Sequence, residues 1–436
     1  MSAAGLGTPA SPGAPVTVIA NAARSGIAAL HVVVGALAHP DTAAVPVQYR
    51  KGPAEVAAAI AAAAATGPVI VAWSFYSPDA ERAAADLAWV RAHAPPALHV
   101  AGGVHASAEP AATLAAGFDL VVVGEGEAAF VALVAAVAAG RDPRGGPGTR
   151  WRDDAGVMQA GPAAARAPLD TYPACDLRHG QWNPIEITRG CVYACSFCQT
   201  PFLFKARFRH RSVDDVVTHV RAMVAGGLRY VRYVTPTALS YGSADTAVDL
   251  GAVEALLAGV RAALPPGGKQ YFGTFPSEVR PEHVTPAALA LIKRFADNRS
   301  LVIGGQSGSP RLLAATHRGH DAEVIERAVA VTVEAGLRPD VDFLFGLPGE
   351  DEADRALTIA LAERITTRGA RVHGHAFMPL PGTPLAGAAP QPVGADVEAA
   401  VARLEARGAA YGQWRAQTTI ASELVQLRAR RPPRRT

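Results

Sequence analysis

Two stretches of this chain alternate short runs of β-branched and aliphatic residues with alanine-rich helical segments, and that rhythm limits the fold more than any other feature. In the first stretch the apolar runs fall at 16–20, 45–49, 68–73, 98–101 and 119–123. They are continuous rather than alternating, as strands buried on both faces must be, and each is followed by a helical segment. The pattern predicts a doubly wound parallel sheet of Rossmann-like type, which binds ligands at the carboxyl ends of its strands. In the second stretch the runs fall at 185–188, 230–234, 270–275, 301–305, 340–345 and 371–377, with helices near 213–225, 251–263, 286–296, 321–335 and 352–368. Six such units predict a (β/α)6 partial TIM barrel whose active site faces the C-terminal strand ends.

Residues 141–180 break the rhythm, being rich in Gly, Pro, Arg and Asp, and read as a linker with one small hairpin near 154–156. The expected division is a ligand-binding Rossmann-like domain at 14–140, the linker at 141–180, the barrel at 181–386, and packing helices with a basic tail at 387–436. A chain of 436 residues with 50% hydrophobic content has enough apolar side chains for two cores. Only Lys51, Lys205, Lys269 and Lys293 are lysines among 41 basic residues. The arginine excess is therefore compositional bias, and with a net charge of +3 no nucleic acid partner is expected. The apolar run 56–75 is interrupted by Thr66, Gly67 and Pro68, so it reads as a helix followed by a strand, not a membrane span. Residues 1–15 lack the charged and apolar regions of a secretory leader, and the expected location is the cytoplasm.

Cys191, Cys195 and Cys198 stand in the string ITRGCVYACSFCQTP, directly after the first strand of the second stretch. Chance places three of four cysteines at this spacing in about one chain in ten thousand. Buried structural thiols have no reason for such spacing. Zinc is a more serious alternative, since three thiolates with His179, His210 or Cys175 would complete a tetrahedron and stabilise a binding module. Zinc ribbons, however, pair CxxC units, whereas this lone CxxxCxxC opens a barrel. Three thiolates on an iron–sulfur cubane would leave one iron open to a substrate.

CxxxCxxC with Phe197 before its last cysteine, at the start of a (β/α)6 barrel, resembles the radical S-adenosylmethionine (SAM) superfamily. The resemblance implies that Cys191, Cys195 and Cys198 hold a [4Fe-4S] cluster whose fourth iron is chelated by SAM. It further implies reductive cleavage of SAM to methionine and a 5′-deoxyadenosyl radical, with an electron from a donor such as flavodoxin or ferredoxin. The segment that holds the SAM amino group in the family is replaced here by Val234, Thr235, Pro236 and Thr237, so the resemblance does not extend to this contact. Ser277, Glu278 and Arg280 after the third strand resemble ribose and carboxylate contacts, or else are a solvated strand end. Gln306 and Ser307 after the fourth strand match a polar pair facing SAM. Gly346 to Glu350 match a loop common in the superfamily, or a tight turn needing Gly and Pro. On the sixth strand Arg371, His373 and His375 share one face, directed either into the lumen, where they would meet substrate or cofactor, or against the helices; metal binding by the two histidines is disfavoured. No residue is singled out as catalytic.

The first domain is similar to the cobalamin-binding domain of B12-dependent radical SAM proteins. The family pattern DxHxxG reads here NAARSG, with Asn21 for Asp, Ala23 for His and Gly26 retained. The later sites read Ser74-Phe75-Tyr76 and Gly102-Gly103, and Gly124 and Gly126 belong to a further similar segment. Without the histidine, no side chain of this motif can ligate cobalt. The alternatives are cobalamin binding at Ser74, Gly102, Gly103, Gly124 and Gly126, or a degenerate domain kept for packing. A dinucleotide site at Gly124, Gly126 and Ala129 is disfavoured, because Glu125 and Glu127 would face a pyrophosphate. The expected activity is a radical SAM reaction, with B12-dependent methyl transfer to an unactivated centre ahead of a B12-independent reaction. Methylthiotransferases are disfavoured because only Cys175 lies outside the motif.

Overall fold

In the computed structural model, which describes residues 15–23 and 26–429, contacts divide the chain after Asn183. The first unit is built on β1 (Thr17–Asn21), β2 (Val47–Arg50), β3 (Val69–Ser74), β4 (Leu98–Gly102) and β5 (Leu120–Val122), parallel in the order β2-β1-β3-β4-β5. The central strands are apolar throughout because helices cover both faces. Val18, Ala20, Ile70 and Ala72 meet Leu30 and Val34 of the helix Ile27–Gly35 and Phe130 of the helix Glu127–Ala138. The alternate residues Ile19, Val69, Val71 and Trp73 meet Val56 and Ile60 of the helix Gly52–Ala64 and Leu87 of the helix Ala80–His93. Strand order reverses between β1 and β3, which marks the ligand crevice at their carboxyl ends.

Residues 141–180 cluster with this unit and do not form a bare linker. β6 (Thr149–Arg152) pairs antiparallel with β5, and β7 (Met158–Ala160) with β6. The turn between them is closed by Asp153, whose carbonyl accepts the Gly156 N–H and whose carboxylate accepts the Val157 N–H, both at 2.8 Å. The hairpin satisfies backbone groups that β5 would otherwise leave unpaired.

In the second unit β8 (Ile185–Glu186) is followed by β9 (Thr188–Arg189), which turns aside to pair with β10 (Arg209–His210). β11 (Tyr230–Val234) and β12 (Lys269–Tyr271) continue in parallel from β8. A second parallel arc holds β13 (Ser300–Gln306), β14 (Arg338–Phe345), β15 (Arg371–Ala376) and β16 (Ala410–Gly412). The arcs join where Val302 N–H donates to Gly273 O at 2.9 Å and Val279 bridges Ile303, giving the partial barrel. β16 extends the expected six strands, and β12 ends before Gly273, whose φ of +65° breaks the extended run. The helices Val213–Ala225, Ala322–Glu334 and Glu352–Thr367 begin at Ser212, Asp321 and Asp351, whose side chains accept an N–H of the first turn. No helix among the described residues is long and apolar enough to cross a membrane. Residues 1–14 and 430–436, which include most of the N-terminal stretch and of the basic tail considered above, lie outside the described residues.

Candidate active site

Gly190, at φ +80°, turns the chain out of β9; a Cβ there would lie 2.1 Å from Arg207 O. The loop that follows carries Cys191 and Cys195 in buried positions and Cys198 partly exposed, all as free thiols. It is tied by Cys198 N–H to Cys195 O at 3.0 Å and by Ser196 N–H to Thr316 O at 3.2 Å. Arg318, 4% exposed, donates from Nη1 to Cys195 Sγ at 3.3 Å and from Nη2 to Gly304 O at 2.6 Å. Its Nε has no hydrogen-bond partner among the described residues. Burial pushes the Cys191 thiol up to about 12 and raises Cys198 as well, with the neighbouring thiolates adding to both shifts. Buried thiolates at this density are unfavourable unless positive charge lies beside them. Three cysteine sulfurs free of disulfides, one of them beside a buried guanidinium, are therefore a donor set that fits a cationic metal cluster.

Around this loop the polar residues expected from the sequence divide into two groups. Arg280 stacks over the Tyr193 ring at 3.6 Å, ion-pairs with Glu282 and donates to the Arg318 carbonyl. The Tyr193 hydroxyl is 2.9 Å from His283 Nε2. Burial raises Glu282, but hydrogen bonds from His320 and Arg280 outweigh it and hold the carboxyl at about 2. Glu278 is pushed up to about 7, chiefly by burial and further by Asp342, against the pull of Arg318. Its carboxyl lies over Gly304, where a Cβ would be 2.7 Å from Oε1. Ser277 and Ser307, by contrast, are occupied structurally. The Ser277 hydroxyl donates to Thr274 O at 3.2 Å, and Ser307 Oγ meets Thr358 Oγ1 at 3.1 Å while accepting the Ser309 N–H. Gln306 is buried with a left-handed φ of +74°, and Phe197 is half-buried against Leu312, Leu347 and Phe377. At the end of β11 Thr237 is 1% exposed with its hydroxyl unpartnered among the described residues. This orphaned oxygen, the free Nε of Arg318 and the half-buried Glu278 are groups that fit a polar ligand such as SAM.

His373 and His375 lie on the lumen face of β15, because Val372 on the same strand and Val341 and Phe343 on β14 are fully buried on the opposite face. His373 Nδ1 is 2.8 Å from Asp342 Oδ1 and 3.2 Å from His375 Nε2, and the His373 ring stacks on Tyr411 with centroids 4.4 Å apart. Arg371 pairs with Asp340 at 2.8 Å. Burial raises Asp342, but hydrogen bonds from the two histidines overcome this and hold it below the usual carboxylate range. Sequence reasoning missed Arg318 and Asp342. In a chain this rich in arginine, Arg318 carries no compositional signal, and Asp342 has two-residue alternation with Asp340 as its only mark.

In the first unit, glycine packing brings the separated motif residues together. Ser74 ends β3 between Gly26 (φ +74°) and Gly103 (φ +85°). A Cβ on Gly26 would lie 2.4 Å from Ser74 O, and one on Gly103 would lie 2.7 Å from Ser74 Oγ. Gly124 N–H donates to Ser107 Oγ at 2.9 Å. Gly102 and Gly124 have no close neighbour on the side a Cβ would take, whereas Gly126 approaches Val33 at 3.0 Å. Asn21, at the end of β1, is 5% exposed with Oδ1 unpartnered among the described residues. A floor of small residues beside an orphaned amide oxygen fits a flat ligand such as cobalamin.

Comparison with known proteins agrees with both units. The model of the radical SAM superfamily matches residues 185–362, and that of the B12 binding domain matches residues 18–134. Among curated relatives, a tRNA-2-methylthio-N(6)-dimethylallyladenosine synthase of Sorangium cellulosum is 32% identical over 215 residues, covering 46% of this chain and 42% of its own. The enzyme of the same name from Geobacter metallireducens is 28% identical over 222 residues, covering 50% of this chain and 48% of its own. The chain thus spans less than half the length of these relatives. Among solved structures, the radical SAM methyltransferase TsrM from Kitasatospora setae, with cobalamin and a [4Fe-4S] cluster bound, shares the fold with a TM-score of 0.66 at 18% identity, over 85% of this chain and 74% of its own. The cobalamin-dependent SAM radical enzyme OxsB does so with a TM-score of 0.63 at 14% identity, over 82% of this chain and 53% of its own. The chain thus carries a radical SAM superfamily domain at residues 185–362, which includes the cysteine loop, preceded by a B12 binding domain at residues 18–134.

Proposed function

We propose that this chain is a radical SAM enzyme in which Cys191, Cys195 and Cys198 hold a [4Fe-4S] cluster with SAM on its remaining iron. In the same proposal the first unit binds cobalamin for methyl transfer to an unactivated centre. The observation that carries the reading is a loop after β9 that holds three free thiols, with the buried Arg318 guanidinium donating to one of them, Cys195. When bound, the reduced cluster supplies one electron to the C5′–S bond of SAM, giving methionine and a 5′-deoxyadenosyl radical.

The chain's own residues have distinct tasks. Arg318 offsets the charge of the sulfur set, Glu278 and Arg280 orient the polar end of SAM, and Phe197 shields the loop from water. Ser277, Gln306 and Ser307 shape the strand ends that carry those contacts. Ser74, Gly102, Gly103, Gly124 and Gly126 form the cobalamin floor, and His373 and His375 face substrate or cofactor. The reading includes a flavodoxin or ferredoxin as electron donor and a cytoplasmic location, which suits an oxygen-labile cluster. It assigns cobalamin to 14–140 and the radical chemistry to 181–386.

Methyl transfer is supported by the fold shared with the methyltransferase TsrM, and cobalamin use by the folds shared with TsrM and OxsB. Ala23, in place of a cobalt-ligating histidine, favours the second reading, a B12-independent reaction with a degenerate first domain. The test is anaerobic reconstitution with iron, sulfide and hydroxocobalamin. Retention of about one cobalt per chain with SAM cleavage supports methyl transfer, and cleavage without cobalt selects the second reading. If 5′-deoxyadenosine forms in a variant lacking all three cysteines, the cluster assignment is wrong.

A further inference from the structure

We infer that Asp342, His373 and His375 form a zinc site, distinct from the cysteine loop, whose fourth position opens into the barrel lumen toward an oxygen or nitrogen donor of the substrate. Use of that position by substrate rests on the enzymatic reading above; the metal site itself does not.

Asp342 lies on β14 and the two histidines on β15, with Asp342 in register with His373. Three ligand atoms converge: Asp342 Oδ1 to His373 Nδ1 at 2.8 Å, His373 Nδ1 to His375 Nε2 at 3.2 Å, and Asp342 Oδ1 to His375 Nε2 at 3.7 Å. A circle through these atoms has a radius of about 1.9 Å, so an ion about 2.05 Å from each would lie roughly 0.7 Å off their plane. Three vertices of a regular tetrahedron at that bond length have nearly the same radius, about 1.9 Å, whereas one face of an octahedron would give roughly 1.7 Å. The set is therefore shaped for tetrahedral zinc more than for an octahedral ion, and two imidazoles with one carboxylate are ordinary zinc ligands.

Protons satisfy this triangle poorly. A single N–H on His373 Nδ1 can point fully at the carboxylate or at His375, but not at both, whereas a cation takes all three lone pairs at once. The supporting residues hold the rings in place. Tyr411 stacks on His373 with planes 10° apart, and Gln417 Nε2 lies 3.4 Å from His375 Nδ1. Because Gln417 Oε1 accepts the Ala376 N–H, zinc at His375 Nε2 requires the Gln417 amide to shift so that the same oxygen also takes the ring's Nδ1 proton. The side chains are 11%, 22% and 31% exposed for Asp342, His373 and His375, so an ion can enter and keep an open position. An open fourth position on zinc polarises a bound oxygen or nitrogen and fixes its orientation.

The experiment uses the cluster-loaded protein, so that the cysteine loop is already occupied. It is incubated anaerobically with zinc sulfate, desalted through a weak chelator, and assayed for zinc and iron together. About one zinc per chain is expected beside about four irons. H373A and H375Q are expected to retain at least tenfold less zinc with unchanged iron, which separates this site from the cluster. Zinc-edge X-ray absorption on the unmodified protein gives a reading that does not depend on the variants, with nitrogen and oxygen scatterers expected near about 2.0 Å. Zinc at background level in the parent protein, zinc retained at the parental level by both variants, or sulfur in the zinc shell would overturn the inference.

Discussion

Replacing Glu350 with Gln gives a change in stability whose sign reverses ordinary carboxylate behaviour. Glu350 is 7% exposed, and its Oε2 accepts the Gly346 N–H at 2.9 Å. Burial is the largest influence on it and raises the carboxyl to about 7 from 4.5, despite that hydrogen bond and the pull of Arg355. A folded-state value above the unfolded one means that the native state holds the extra proton. The contribution is therefore complete below about pH 4.5, declines as the pH rises, and is lost above about pH 7. A shift of this size corresponds to about 3 kcal/mol at most. Gln keeps an oxygen for Gly346 and cannot ionise. E350Q should therefore match the parent protein near pH 4.5 and exceed it by roughly 2–3 kcal/mol at pH 8, or roughly 5–10 °C in Tm. Equilibrium urea unfolding at several pH values, reported as the difference between the two proteins, cancels all other titrations. A difference that does not vary with pH, or a less stable variant at pH 8, would show that burial does not govern this carboxyl.

R318M removes a buried guanidinium from Cys195, and a unit charge about 5 Å from the cluster at an effective dielectric near 20 corresponds to about 3 kcal/mol. The cluster potential should fall by roughly 50–150 mV in an EPR-monitored titration. A rise, or no change, would refute this electrostatic role. G103A places a Cβ 2.7 Å from Ser74 Oγ at a φ of +85°, and cobalamin affinity should drop by about tenfold with iron content unaffected. G304A drives a Cβ to within 2.7 Å of the Glu278 carboxyl, so the Kd for SAM should rise, as read by calorimetry, while the cluster still assembles.

The sequence was most legible where local chemistry and burial agreed. The helix Val213–Ala225 has both the cap, Ser212, and an apolar stripe, and its expected bounds coincide with those observed. Strands buried on both faces announce themselves as unbroken runs, which is why β1, β3 and β4 were recognisable. β16 was not, since three residues ending in Gly412 carry no periodicity and owe their extended form to pairing with β15. The same limit applied within the site. Three cysteines at fixed spacing form a local signal, whereas Arg318, 123 positions beyond Cys195, reaches the sulfur only through the fold. Ser307 illustrates the opposite error, a residue of suitable chemistry whose hydroxyl is taken by Thr358.

The hairpin β6–β7 has a practical bearing on how the first unit can be handled. It covers the edge of β5, whose Val121 and Val122 would otherwise present an apolar strand with open backbone groups to other molecules. A truncation at residue 140 leaves that edge bare and should promote intermolecular strand pairing and aggregation, whereas one after Asn183 keeps the edge closed.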